Sequence, residues 1–129
     1  MKSVESKREM AGRHILIVED ELLLALDLQS IVEDIGGAVL GPASSIETAL
    51  ALLGDTKPDA ALLDANLRGR RVTPVAEALK RRGIPFAMVT GYGRLAMAEP
   101  ILQQAPRVRK PFNAEDIRAA LVVMLDGSP

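Results

Sequence analysis

The residues best suited to chemistry are carboxylates at the ends of apolar runs. Ala60-Ala61-Leu62-Leu63 leads directly into Asp64, and His14-Ile15-Leu16-Ile17-Val18 leads into Glu19-Asp20-Glu21. Buried parallel strands read as uninterrupted apolar stretches, and the residue after each is delivered to the rim of the sheet. If these two strands are neighbours, Glu19, Asp20 and Asp64 converge on one point. Two unit charges about 4 Å apart repel by roughly 4 kcal/mol at an effective dielectric near 20. Without a cation, at least one carboxylate titrates upward. A hard divalent ion with oxygen ligands, Mg²⁺ above all, relieves the repulsion. Asp64 can then be both a ligand and a nucleophile, because carboxylates form aspartyl-phosphate intermediates when a metal neutralises the incoming group. Two later strand ends offer complementary groups. Thr90 follows Phe86-Ala87-Met88-Val89 and has a hydroxyl for a phosphoryl oxygen. Lys110 follows Arg107-Val108-Arg109 and supplies a point charge for the same oxygens. Taken singly, each is more often an ordinary solvated acid, strand-end hydroxyl or surface lysine.

The elements that must position them follow from periodicity. Glu21 to Ile35 predicts a helix with Leu24, Leu28, Ile31 and Ile35 on its inner face, stopped by Gly36-Gly37. Ala38-Val39-Leu40 predicts a short strand. Ser44 and Glu47 suggest a capping box for a helix that buries Ile46, Ala49, Leu50 and Leu53. A loop over 66–71 precedes a helix opened by Thr73-Pro74 and ending near Arg82. The stretch from Leu95 to Gln104, interrupted by Pro100, predicts a short or irregular helix. Asn113 caps the last helix, with Ile117, Leu121 and Met124 inward. Five strands alternating with five helices predict an α/β, doubly wound, five-stranded parallel sheet of order 2-1-3-4-5, flavodoxin-like. Its ligand crevice lies outside the carboxyl ends of the strands, beside the switch point between strands 1 and 3. All the candidate groups fall at those ends.

Composition narrows the function classes. With 129 residues, 48% hydrophobic, the chain suits one domain with a single good core. Its aromatics are only Phe86, Tyr92 and Phe112, so the core must be aliphatic. A net charge of −1 leaves no electrostatic footprint for nucleic acid. The absence of cysteine removes disulfides and thiolate metal sites. No apolar run nears the roughly 20 residues needed to span a bilayer, and Met1 to Gly12 lacks a signal-peptide core. The expectation is a cytoplasmic protein with a flexible tail over 1–12, one domain over 13–126 and no output domain after it.

In sum, Ile15-Leu16-Ile17-Val18-Glu19-Asp20-Glu21, Leu62-Leu63-Asp64, Thr90-Gly91 and Lys110-Pro111-Phe112 resemble the motif set of response-regulator receiver domains over roughly residues 13–125. That resemblance implies that a sensor histidine kinase or histidine phosphotransfer protein phosphorylates Asp64. It implies Mg²⁺ held by Glu19, Asp20, Asp64 and the Asn66 backbone carbonyl, with Thr90 and Lys110 reading the phosphoryl group. It also implies a cis bond before Pro111, and output to an unknown downstream protein through the helix 4, strand 5, helix 5 face. That face commonly forms homodimers; a phosphate-sink role is the alternative to output. The stretch Pro85 to Gly93 is similar to the stand-alone "FAT GUY" regulators of alphaproteobacteria, with Val89 in place of that motif's alanine. Receivers usually carry an aromatic switch residue three positions before the lysine, and here Arg107 occupies it. Tyr92 by packing, or Arg107 by a charge contact, is then the candidate switch. The basic loop of Arg68, Arg70 and Arg71 is either solvated or a contact for the phosphodonor.

Three other readings compete. An aspartate-nucleophile phosphatase needs a second Asp two residues after the first, where this chain has Asn66. A flavodoxin-like cofactor carrier needs a phosphate-binding loop, where this chain has Glu19-Asp20-Glu21. A degenerate receiver would bind partners without being phosphorylated.

Overall fold

A computed structural model describes residues 10–91 and 99–126. Its main sheet is parallel with order β2-β1-β3-β6-β7. The strands are β1 (His14–Val18), β2 (Ala38–Ala43), β3 (Ala60–Leu63), β6 (Phe86–Thr90) and β7 (Arg107–Arg109). Five helices connect and follow them: α1 (Leu22–Asp34), α2 (Ile46–Asp55), α3 (Thr73–Arg81), α4 (Pro100–Gln103) and α5 (Ala114–Leu125). This is the expected 2-1-3-4-5 order once one addition is set aside. Residues 66–71, expected as a loop, form a small antiparallel hairpin of β4 (Asn66–Leu67) and β5 (Arg70–Arg71).

The aliphatic strands explain why both faces are covered. Successive side chains alternate across a strand, so Leu16, Val18, Ala61 and Leu63 meet α2, α3 and Leu102 of α4 on one side. Ile15, Ile17, Ala60 and Leu62 meet Leu28 and Val32 of α1 and Ile117 and Leu121 of α5 on the other. All four residues of β3 are buried. No helix of the described residues is long and apolar enough to cross a membrane.

Several local expectations shift by a residue. The buried stripe of α1 is Ala25, Leu28 and Val32, continued by its C-cap Ile35, and Leu24 and Ile31 flank it half-buried. Leu50 of α2 is exposed. Ser45, not Ser44, caps α2 by accepting from the Thr48 N–H at 3.1 Å. That leaves Glu47 free to pair elsewhere. Thr73 lies inside the first turn of α3 rather than capping it, and Val72 holds the cap position. Asn113 caps α5, accepting from the Asp116 N–H at 2.8 Å.

The packed unit begins earlier than residue 13. Met10, assigned from sequence to the tail, is buried, and its N–H donates to the Ile35 carbonyl at 3.1 Å. Its apolar side chain fills space beside Gly37. Residues 1–9 of the tail expected over 1–12, and Tyr92 with the start of the fourth-helix region, lie outside the described residues. Within them α4 is a single turn, in keeping with the interruption expected at Pro100.

Candidate phosphoacceptor site

Strand register brings the acids together. Val18 pairs with Leu63, so Glu19 and Asp64 emerge side by side at the carboxyl rim. The Asp64 N–H donates to the Val18 carbonyl and the Glu19 N–H to the Ala43 carbonyl, both at 2.9 Å. Carboxylate oxygens of Glu19, Asp20 and Asp64 lie within 4.8 Å of one another. On the other half of the sheet, Thr90 pairs with Arg109. The next residue, Lys110, donates its N–H to the Thr90 carbonyl at 3.1 Å. Thr90 is buried at the rim. Lys110 precedes a cis peptide bond to Pro111.

Lys110 reaches into the acid cluster. Its Nζ lies 2.9 Å from Glu19 Oε1 and 3.5 Å from Asp64 Oδ2. The side chains of Glu19, Asp64 and Lys110 are only 0%, 3% and 13% exposed. Backbone donors supplement the lysine. The Glu21 N–H donates to Glu19 Oε2 at 3.1 Å and the Asn66 N–H to Asp64 Oδ1 at 3.3 Å. The Arg68 N–H donates to Asp20 Oδ2 at 2.8 Å.

Charge does not balance in this pocket. Burial pushes the Glu19 carboxyl up to about 7; Asp64 adds to the rise, and Lys110 opposes it. Burial likewise raises Asp64, with Lys110 the largest opposing influence. Burial alone would pull the Lys110 ammonium down, but Glu19 and Asp64 outweigh it and its pKa is raised. Three carboxylates facing one ammonium leave an excess of negative charge in a largely buried site. An all-oxygen donor set with this deficit fits a hard divalent cation.

The other expected residues distribute differently. Arg70 and Arg71 pair with Glu47 of α2 and Glu99 at the start of α4. These carboxylates are far away in the sequence, and no local spacing announces them. Arg107 is exposed on β7 beside Met88. No carboxylate among the described residues lies within ion-pair range of it. The Asn66 side-chain Oδ1 is buried with no hydrogen-bond partner among the described residues. Arg68 acts on the cluster through its backbone N–H, which its residue type does not announce. Its only signal was the Arg68-Gly69 dipeptide, a weak hairpin turn.

Comparison with known proteins gives one consistent family. The chain matches the response regulator receiver domain over residues 15–122. The phyllosphere-induced regulator PhyR of Methylorubrum extorquens is 30% identical over 123 residues, covering 91% of this chain and 46% of that protein. The chain thus spans about half the length of the curated relatives it matches. The receiver domain of the PhyR response regulator from Erythrobacter litoralis superposes with a TM-score of 0.82 at 25% identity, covering 92% of this chain and 95% of that one. The BeF3-activated conformation of SdrG from Pseudomonas melonis Fr1 is 40% identical with a TM-score of 0.75, covering 89% and 98%. Fold, rim chemistry and these matches converge: the chain belongs to the response regulator receiver domain family of two-component signal transduction.

Proposed function

We propose that this chain is a phosphorylation switch in which Asp64 is the phosphoacceptor. The observation that carries the reading is the largely buried cluster of Glu19, Asp20 and Asp64, with the Lys110 ammonium within reach of two of its carboxylates. Glu19, Asp20, Asp64 and the Asn66 backbone carbonyl would hold Mg²⁺, which when bound supplies the positive charge that lets a phosphoryl group approach a carboxylate. The Asp64 carboxylate is the nucleophile. Lys110 is placed to exchange its contact with Asp64 for one with a phosphoryl oxygen, and Thr90 offers its hydroxyl from the neighbouring strand end. The BeF3-activated conformation of the relative SdrG supports this reading, since BeF3 resembles a phosphoryl group in shape and charge.

The phosphodonor is a sensor histidine kinase or a histidine phosphotransfer protein, in the cytoplasm. The output is a change of the α4, β7 and α5 face, read by a downstream protein or by a second copy of the chain; otherwise the chain drains phosphate from its donor. Tyr92 and Arg107 are the switch candidates. The test is the intact mass after incubation with acetyl phosphate in Mg²⁺ or in EDTA. The wild type should gain one phosphoryl group only with Mg²⁺, and Asp64→Asn should gain none. Equal labelling of the Asn variant would overturn the assignment of Asp64.

A further inference from the structure

The hairpin after Asp64 is strained at one residue, and that residue carries a charge. Leu67 pairs with Arg70, leaving Arg68 and Gly69 as a two-residue turn. Their φ angles are 52° and 82°. Two successive positive φ angles make the type I′ turn, which Asn-Gly and Gly-Gly satisfy with little strain. Arg68 is the sole non-glycine residue with positive φ among the described residues. For an arginine, that conformation brings Cβ too close to the following carbonyl. Backbone strain of this kind persists where function maintains it.

The fold does not need the Arg68 side chain, which is exposed. Its two basic neighbours are occupied, Arg70 by Glu47 and Arg71 by Glu99. No carboxylate among the described residues is within ion-pair range of the Arg68 guanidinium. Yet its backbone N–H is fixed to Asp20 at 2.8 Å, and Asp20 belongs to the acid cluster around Asp64. The Arg68 backbone is therefore anchored beside the pocket, and its exposed side chain has no carboxylate partner among the described residues.

We infer that Arg68 is a specificity residue for the phosphodonor, favouring donors whose leaving group departs as an anion. The inference rests on the proposed role of Asp64. With acetyl phosphate, a carboxylate oxygen of Asp64 forms a bond to phosphorus as the bond from phosphorus to the acetyl oxygen breaks. Acetate leaves with the electron pair and its negative charge. With phosphoramidate in its zwitterionic form, the phosphorus–nitrogen bond breaks and neutral ammonia leaves. A guanidinium at the rim stabilises the departing acetate and has no counterpart charge to meet on ammonia.

The experiment compares rate constants for labelling by acetyl phosphate and by phosphoramidate in Mg²⁺, by intact mass, for wild type, Arg68→Asn and Arg68→Lys. Asn suits the turn better than Arg, so Arg68→Asn should keep or raise the melting temperature. It should lose about fivefold in rate with acetyl phosphate, the scale of one screened charge interaction at a surface. Its phosphoramidate rate should be essentially unchanged, and Arg68→Lys should retain most of the acetyl phosphate rate. Added salt should slow acetyl phosphate labelling more in the wild type than in Arg68→Asn. An equal loss with both donors would make Arg68 a structural residue and overturn the inference, as would no loss with either. If neither donor labels the wild type, the role of Asp64 fails and this inference falls with it.

Discussion

Replacing Lys110 by methionine isolates the charge imbalance of the site. Methionine keeps the length and apolar stem but removes the ammonium, which lies 2.9 Å from Glu19 and 3.5 Å from Asp64. Breaking a fully buried ion pair by removing one partner costs about 3–5 kcal/mol. This pocket opens toward solvent at Asp20, and Glu19, already raised to about 7, can take up a proton. The expected loss in EDTA near neutral pH is therefore at the lower edge of that range or just below, about 2–3 kcal/mol. A bound divalent cation contributes roughly 2.7 kcal/mol at a hundred times its dissociation constant. It should contribute more to Lys110→Met, where no ammonium competes for the carboxylates. The assay is urea unfolding of both proteins in EDTA and in saturating Mg²⁺. The stability gap between them should shrink in Mg²⁺. A gap of equal size in the two conditions would refute the claim that the ammonium and the cation neutralise the same excess charge.

Other perturbations test neighbouring parts of the reasoning. Asp64→Asn should raise the EDTA stability by about 1 kcal/mol, because it removes a charge whose burial is already unfavourable; a lower urea midpoint would contradict this. In EDTA the pH profile should slope downward. Glu19 is raised from 4.5 to about 7 on folding, so the folded protein binds the extra proton and stability falls as pH rises through that interval. Glu19→Gln should flatten that slope. Gly41→Ala should cost at least about 2 kcal/mol. Its Cβ would lie 2.6 Å from the Ala43 nitrogen and 3.1 Å from the Ile17 carbonyl, at a φ of +91°. Thermal melting checks it, and an unchanged midpoint would show that β2 yields there.

The carboxyl-end cluster was legible because its carriers are extreme in composition. Ala60 to Leu63 and Ile15 to Val18 contain nothing polar, so each strand ends where its first charged residue begins, and parallel order does the rest. Lys110 was legible by a different route, the Lys110-Pro111-Phe112 motif, because β7 reads Arg-Val-Arg with only Val108 buried. What stayed hidden was set by distance in sequence or by near-equivalent choices. Ser44 and Ser45 are both competent caps, and the entry path of the chain decides between them. Met10 follows charged residues and shows no period, so its burial becomes visible only when Gly37 leaves room for it. Arg70 and Arg71 meet Glu47 and Glu99 only because a hairpin turns them apart. That hairpin was invisible because an arginine occupies a turn position that usually announces itself with asparagine or glycine.

The unequal halves of the sheet have a mechanical consequence. On one side β2 runs for six residues beside two long helices; on the other β7 has three residues and α4 a single turn. Glu19 and Asp64 follow the central strands β1 and β3, whereas Thr90 ends β6 and Lys110 follows the short edge strand β7. Springs in series extend most at the weakest element, so a load applied between the acids and the lysine is taken up mainly by the compliant side. If Asp64 is phosphorylated, the shortness of β7 and α4 predicts movement toward the β7 edge, whichever residue occupies position 107.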